Sequence, residues 1–162
     1  MAALARPITP HLWFDTQARE AAEFYVSVFP NSRITAIAHY TEAGPGEPGT
    51  VMTVDFELDG QPYTGINGGP QFTFDEAMSL LINCADQAEV DYYWDKLTEG
   101  GEESQCGWLK DKFGLSWQVN PPGMAELFSD PDPGRVRRAM EAMLGMKKLD
   151  LAAMLAAADQ TA

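Results

Sequence analysis

The sequence predicts an α+β fold of two tandem βαβββ modules followed by C-terminal helices. An internal repeat is the first reason, because a shift of 68 residues places residues 11–14 on 79–82 and residues 23–25 on 91–93. Each copy also has the pattern of a short apolar strand followed by an amphipathic helix. The third reason is the alternation of apolar and polar residues over 51–58, which is typical of a half-buried strand.

The first module is predicted to run from one strand through a helix into three further strands. Pro30 and Asn31 are expected to end the helix. Asp59 and Gly60 are typical of the hairpin turn that joins two antiparallel strands. The Gly- and Pro-rich composition of residues 42–49 indicates a loop. The expected strands are 8–14, 33–40, 51–58 and 62–67, and the expected helix is 18–28.

The second module is predicted to repeat this order. Asp86 is expected to cap its helix, and Glu89 follows three residues later as in a capping box. Gly100 and Gly101 are expected to end the helix, which reaches about Thr98. The expected strands are 78–84, 103–105, 108–110 and 115–120.

A helical tail is predicted beyond Pro121 and Pro122. It contains two apolar stripes, which we expect to pack against the same domain or against a partner chain. We therefore predict a single domain over 6–122, with modules at about 6–70 and 76–122, and a helical extension over 123–160. The stripes are formed by Val136, Met140, Met143 and Leu144, and by Leu149, Leu151, Met154 and Leu155.

Composition narrows the class of protein. The chain has 162 residues, of which 45% are hydrophobic and 22% charged, as in a soluble globular domain. Its net charge of −13 would repel nucleic acids and anionic membrane surfaces, so neither is expected as a partner. No apolar run approaches the roughly 20 residues that span a bilayer, and no signal peptide is expected. Two cysteines, Cys84 and Cys106, favour reduced thiols and a cytoplasmic location.

Four segments carry a resemblance to a known family. They are residues 12–15 (LWFD), 24–29 (FYVSVF), 60–69 (GQPYTGINGG) and 106–119 (CGWLKDKFGLSWQV). Together they resemble the PhnB-like subgroup of the vicinal oxygen chelate superfamily, which includes glyoxalase I, fosfomycin-resistance enzymes, extradiol dioxygenases and bleomycin-binding proteins. The resemblance implies that the paired modules form a half-open mixed β-barrel. It also implies a homodimer, because the superfamily often completes barrels across subunits.

This subgroup is often labelled 3-demethylubiquinone-9 3-methyltransferase. A methyl donor is usually bound at a glycine-rich turn between a strand and a helix of a doubly wound sheet. The glycine-rich segments of this chain fall in predicted hairpin-like loops instead. The residues themselves therefore do not support methyl transfer.

In the superfamily, metal ligands come from the first and fourth strands of each module. The resemblance places these positions at His11 and Thr64 in the first module and at Ser79 and Gln118 in the second. Divalent metals prefer imidazole or charged oxygen ligands, and Gln118 stands where catalytic relatives have a glutamate. The resemblance therefore implies either no cofactor or a divalent metal held in part by His11 and Gln118.

Each of these candidates also has a structural interpretation. His11 is interpretable as a hydrogen-bonded histidine on a half-buried strand, or as a general base or hydrogen-bonding group without a metal. Gln118 is interpretable as a partner for neighbouring backbone. Trp13 and Trp108 would line a pocket that suits a flat or apolar molecule, or they would pack in the core or at an interface. Cys106 is the more interesting thiol, since Gly107 beside it would permit close approach of a ligand.

Charged residues near these positions also allow more than one interpretation. Lys110 and Lys112 are the cations that would lower the pKa of the Cys106 thiol. Asp55 and Glu57 share one face of their strand, so they predict either a general acid with a raised pKa or a solvated strand face.

The main functional hypothesis is a protein that binds an aromatic or apolar small molecule without a full catalytic metal site. The alternative is a metal-dependent lyase, isomerase or transferase of the glyoxalase type, in which a metal polarises a substrate oxygen. A third is a structural or regulatory domain without a small ligand, so the sequence leaves open whether the chain is an enzyme. The candidate ligand-binding residues are His11, Trp13, Thr64, Ser79, Cys106, Trp108 and Gln118, and the candidate metal ligands are His11 and Gln118.

Overall fold

The computed structural model describes residues 7–160. The chain divides into two compact units, Met1–Thr73 and Phe74–Ala162. The fold class is the predicted one, with two four-stranded mixed sheets and associated helices. No helix within residues 7–160 combines the length and the apolar character that crossing a membrane requires.

The first unit is one sheet covered on one face by one helix. The sheet has the order β1-β4-β3-β2, in which β1 and β4 are parallel and the other pairs are antiparallel. Helix α1 packs on β3 and β4 through its buried apolar side, which includes Ala22 and Tyr25. The elements are β1 (His11–Phe14), α1 (Ala18–Val28), β2 (Arg33–His39), β3 (Val51–Leu58) and β4 (Gln61–Asn67).

The second unit repeats this arrangement and adds helices. Its sheet has the order β5-β8-β7-β6, again with one parallel pair, β5 and β8, at one edge. Helix α2 packs on β7 and β8. The elements are β5 (Ser79–Asn83), α2 (Gln87–Thr98), β6 (Glu102–Glu103), β7 (Trp108–Lys110), β8 (Ser116–Asn120), α3 (Met124–Phe128), α4 (Pro133–Leu144) and α5 (Leu151–Ala158).

The N-terminal ends of the two module helices are stabilised in different ways. Asp86 caps α2 as predicted, because its carboxylate accepts a hydrogen bond of 2.9 Å from the Glu89 backbone N–H. At α1 the capping atom comes from a distant strand, since Asn67 Oδ1 accepts a hydrogen bond of 2.8 Å from Ala18 N–H. This contact ties the start of α1 to the end of β4.

The C-terminal helices have a small core of their own within the second unit. Leu149 is buried in that core and lies against Gly107, where an added Cβ would come 2.9 Å from Leu149 Cδ1. The backbone N–H of Gly107 donates to Lys147 O at 2.8 Å, and Gln87 Nε2 donates to Leu149 O at 2.9 Å. The small size and positive φ of Gly107 therefore serve the docking of the tail.

Most element boundaries agree with prediction, and two differ for clear reasons. The first strand begins at His11 rather than at residue 8, because Pro7 and Pro10 have no N–H for strand pairing. Strand β6 ends at Glu103 rather than at residue 105. A turn replaces its predicted end, since Cys106 and Gly107 both have positive φ.

The predicted apolar stripes of the tail are only partly buried. Met143, Leu149, Leu151 and Met154 belong to the core of the helical extension or pack against it. Three other stripe residues remain exposed, namely Met140, Leu144 and Leu155.

Candidate functional site

A row of three polar side chains crosses the first sheet. Strand pairing places His11 beside Thr64, and Thr64 beside Asp55. Gly65 faces α1, because an added Cβ would lie 3.2 Å from Ala18 Cβ. Thr64 therefore points to the opposite face of the sheet, since successive side chains of a strand alternate. His11 lies exposed at one end of the row.

Thr64 has a complete hydrogen bond within this row. Its side chain is buried, and its Oγ1 donates to Asp55 Oδ1 at 2.7 Å. A hydroxyl bound to an ionised carboxylate is among the stronger hydrogen bonds in proteins. Glu57, two residues along the same strand, instead binds Arg33 Nε at 3.1 Å. The two carboxylates that share this face thus have separate partners.

Trp13 is held against the loop that follows β4. Its Nε1 donates to Gly69 O at 2.9 Å, and its ring meets the Phe72 ring edge-on at 5.0 Å. An added Cβ at Gly68 would lie 2.2 Å from Trp13 Cζ2, so only glycine leaves room for the indole. Trp13 therefore packs on this loop, with its polar N–H satisfied by backbone.

The second sheet has a row at the same register. Ser79 pairs with Ser116, and Ser116 pairs with Lys110, as His11, Thr64 and Asp55 do in the first sheet. Ser116 is 1% exposed, and its Oγ has no hydrogen-bond partner among residues 7–160. A buried hydroxyl without a partner is costly, so its presence needs a functional or structural explanation.

A cavity of about 110 Å³ has Ser116 among its lining residues, and we call it the Ser116 cavity. Lys110 Nζ at its wall forms an ion pair of 2.6 Å with Glu76 Oε1. The hydrogen bond from Lys110 is the main cause that lowers the pKa of Glu76, and the same bond raises the pKa of Lys110. The lining residues are Glu76, Glu102, Glu103, Ser104, Trp108, Leu109, Lys110 and Ser116.

Gln118 and Ser79 contact each other directly. Gln118 Nε2 donates to Ser79 Oγ at 2.9 Å, while strand pairing places Gln118 beside Leu81 and Trp108. This next row is less polar than the first, because Leu81 is 46% exposed and Trp108 is half-buried. The exposed face of the second sheet thus has a polar row beside an apolar and aromatic one.

The remaining candidate of the second unit, Cys106, lies next to the helical tail. Cys106 is half-buried, and its backbone N–H donates to Met146 O at 2.8 Å. The two lysines that follow Cys106 in the sequence have other partners. Lys110 binds Glu76, and Lys112 Nζ lies 5.5 Å from the centre of the Phe113 ring.

A broad groove of about 1000 Å³ also lies on the first unit. It is bordered by the first part of α1 and by the loops before β3 and after β4. Arg19 on its wall is bound to Glu23 at 2.8 Å. Tyr40 closes one side through a hydrogen bond of 2.6 Å from its hydroxyl to Asn67 O.

Comparison with known proteins identifies the family. The sequence family described as 3-demethylubiquinone-9 3-methyltransferase matches residues 6–120. The chain belongs to this family. It is the PhnB-like group of the vicinal oxygen chelate superfamily, so the resemblance carried by the sequence motifs is confirmed. Among curated proteins, none matches the chain.

Solved structures support the same PhnB-like assignment. The PhnB protein from Bacillus cereus is 38% identical, with a TM-score of 0.66 over 72% of this chain and 99% of that one. Protein PA1353 from Pseudomonas aeruginosa is 21% identical, with a TM-score of 0.59 over 70% and 96% of the two chains. The fosfomycin resistance protein FosX from Listeria monocytogenes is 12% identical, with a TM-score of 0.51 over 76% and 98%. At these low identities, PA1353 and FosX show only that their fold is the same as that of this chain.

The metal that the superfamily implies does not fit the donors that this PhnB-like chain offers. Thr64 gives its hydroxyl hydrogen to Asp55, and Ser79 accepts from Gln118. His11 is the one imidazole among the four positions, and a neutral amide and hydroxyls are weak ligands for divalent ions. Within residues 7–160, no group of three His, Cys, Asp or Glu side chains is placed to hold a metal ion.

Three residues that matter for the second sheet were not predicted as site residues. Glu76 and Ser116 are two of them, and the third is Asp111, which is 2% exposed. Asp111 Oδ1 accepts from the backbone of Phe113 and Leu115 at 2.8 and 3.1 Å, and Oδ2 accepts from the Trp117 indole at 2.8 Å. An aspartate three residues before a turn glycine, here Gly114, is a signal for such a motif.

Proposed function

We propose that this PhnB-like chain binds a small molecule on the strand face of its second sheet, without a resident catalytic metal. The Ser116 hydroxyl carries the proposal, because it has no hydrogen-bond partner among residues 7–160 and Ser116 lines the cavity. Buried polar side chains normally have partners, and a ligand in the cavity would supply one. Binding sites commonly combine a concave surface with a few convergent polar groups, which here are Ser116 and Lys110.

The neighbouring row suggests the form of the ligand. Trp108 lines the Ser116 cavity, and strand pairing places Gln118 and then Leu81 on the same face. An apolar or aromatic portion would contact Trp108 and Leu81, while a compact polar end would enter the cavity. This division agrees with the aromatic or apolar ligand that the sequence predicts.

Methyl transfer, which the family description names, is not part of this proposal. The two sheets have orders β1-β4-β3-β2 and β5-β8-β7-β6, each with one parallel pair. They are unlike the doubly wound parallel sheet on which methyl donors usually bind. The expected homodimer stays a prediction, as does the placement of His11, Trp13 and Cys106 at a ligand site.

Native mass spectrometry of the chain, purified without chelators and combined with elemental analysis, tests the proposal. We expect a co-purified small molecule, or one found by ligand screening, and no stoichiometric divalent metal. A bound ligand should protect Trp108 fluorescence from an aqueous quencher such as acrylamide. Stoichiometric metal that is lost in His11→Ala would contradict the proposal, as would a screen in which no small molecule binds.

A further inference from the structure

We propose that the Ser116 cavity is a binding site for a compact monocarboxylate, and that Glu76 is a competitor for this site built into the chain. The inference rests on the proposed function, because it names the ligand class of that same site. It is drawn from the difference between two rows of side chains at equivalent register.

The first sheet shows what a hydroxyl at this register position binds. Thr64 and Ser116 are each the pairing partner of the first residue of their module, His11 and Ser79. The Thr64 hydroxyl donates to the carboxylate of Asp55, which is next in the row, at 2.7 Å. In the second sheet the next residue is Lys110, whose ammonium has only donors. The residue next to Ser116 on this side of the row is therefore not an acceptor, and a carboxylate from outside the chain would supply one.

Glu76 already shows that a carboxylate fits against Lys110. Its Oε1 lies 2.6 Å from Lys110 Nζ, although its side chain is 63% exposed and belongs to neither a helix nor a strand. An exposed side chain of this kind can leave without unfolding any element. The lowered pKa of Glu76 keeps it ionised near neutral pH, so it competes for Lys110 under ordinary conditions.

The charges around the cavity disfavour a ligand with two negative charges, because three carboxylates and one ammonium already line it. Exchange of Glu76 for a monocarboxylate leaves the net charge beside Lys110 unchanged. Glu102 pairs with Lys110 across the strands and would repel a dianion such as phosphate. Glu103 is occupied elsewhere, because it accepts from Trp94 Nε1 at 3.1 Å and lies 3.6 Å from Lys147 Nζ.

The size of the cavity limits the group that enters it. Its volume of about 110 Å³ is somewhat smaller than the roughly 150 Å³ cavity that accommodates benzene in another protein. A carboxylate with two or three carbons fits such a space, either as a whole molecule or as the polar end of a larger one. Sodium propionate is therefore the probe, and propionamide is its uncharged match.

The test is an NMR titration of the ¹⁵N-labelled full chain with propionate, propionamide and phosphate. We expect saturable shifts of the Lys110 and Ser116 amides with propionate, and weaker or no binding of the other two. Glu76→Gln, which keeps the size and removes the charge, should lower the Kd for propionate about tenfold by removing the competing state. Ser116→Ala should raise the Kd several-fold, and Lys110→Met should abolish binding.

Lys96→Met is the matched control for Lys110→Met, because Lys96 is exposed on α2 and does not line the cavity. It should bind propionate as the parent chain does. The spectra report directly whether each variant is folded. If neither the parent chain nor Glu76→Gln shows saturable shifts at these amides, the carboxylate site is wrong. An unchanged or raised Kd in Glu76→Gln would overturn the role of Glu76 as competitor.

The same variants separate this inference from the proposed function. A co-purified or screened small molecule that binds Lys110→Met and Ser116→Ala as well as the parent chain would overturn the carboxylate site and leave small-molecule binding intact. A chain to which neither propionate nor any screened molecule binds would contradict both.

Discussion

In the first sheet, Thr64 completes its hydrogen bond with Asp55, whereas in the second sheet Ser116 occupies the same register position beside Lys110 and has no partner among the described residues. The difference lies in a single neighbouring residue, an acceptor in one sheet and a donor in the other. A repeated module can thus keep its backbone pairing while one copy satisfies its hydroxyl and the other leaves it without a partner among residues 7–160.

The segments that lead into β4 and β8 also differ, and substitutions there should give the largest loss in the free energy of unfolding. Strand β4 follows a tight turn in which Asp59 and Gly60 have positive φ, whereas β8 follows a loop organised by the buried Asp111. Asp111→Ala would remove the carboxylate that accepts hydrogen bonds from the Trp117 indole N–H and from two backbone N–H groups. We expect a loss of about 3 kcal/mol or more in the free energy of unfolding, measured by urea denaturation.

Asp111→Asn is the control for this loss, because it keeps one acceptor oxygen and nearly the same shape. It should lose distinctly less stability than Asp111→Ala. Gly60→Ala, which places a side chain at a φ of 75° in the first unit, should cost about 1 kcal/mol. Equal losses for Asp111→Ala and Gly60→Ala would contradict the view that Asp111 organises the approach to β8.

The two hydroxyls provide the next comparison. Thr64→Val removes the hydrogen bond to Asp55 with little change in volume, so we expect a loss of about 1 kcal/mol. Ser116→Ala removes a hydroxyl with no partner among the described residues, so its effect without ligand should lie within about 0.5 kcal/mol of zero. Urea denaturation of both variants side by side is the measurement. A loss of 1 kcal/mol or more in Ser116→Ala would mean that this hydroxyl has a partner in the free protein.

The smallest expected effect concerns the pH dependence of the Glu76–Lys110 pair. The pKa of Glu76 is lowered from 4.5, mainly by its hydrogen bond with Lys110. Because the folded-state pKa is the lower one, the pair stabilises the fold above about pH 4.5, and this contribution is lost as the pH falls through the folded-state value. NMR titration of the Glu76 carboxyl carbon should show the pKa return towards 4.5 in Lys110→Met. Lys96→Met should leave it unchanged, and an unaltered Glu76 titration in Lys110→Met would contradict the pairing.

Much of the fold could be predicted because its signals are local. The alternation over β3 and the Asp86 cap of α2 depend on residues a few positions apart, and both are present as expected. The burial of Ser116 could not be predicted in this way, because it depends on the neighbouring strand β7 and the segment around Glu76, which are brought there only by folding.

The partners of the predicted site residues were beyond prediction for the same reason. The Asp55–Thr64 bond depends on the register between β3 and β4, and Glu76 is separated from Lys110 by the whole of α2. Gly107 is a clear example of a local signal with a distant cause. A glycine beside Cys106 predicts close approach of a ligand, but in the structure its neighbour is Leu149 of the helical tail.

The most direct test of the account is the stabilisation of the full chain by propionate, measured as the shift of the urea midpoint in the parent, Thr64→Val and Ser116→Ala. A ligand that binds only the folded state raises stability in proportion to the logarithm of its concentration once the site is saturated. We expect equal stabilisation of the parent and Thr64→Val, and markedly less in Ser116→Ala. Equal stabilisation of all three, or none of the parent, would contradict it.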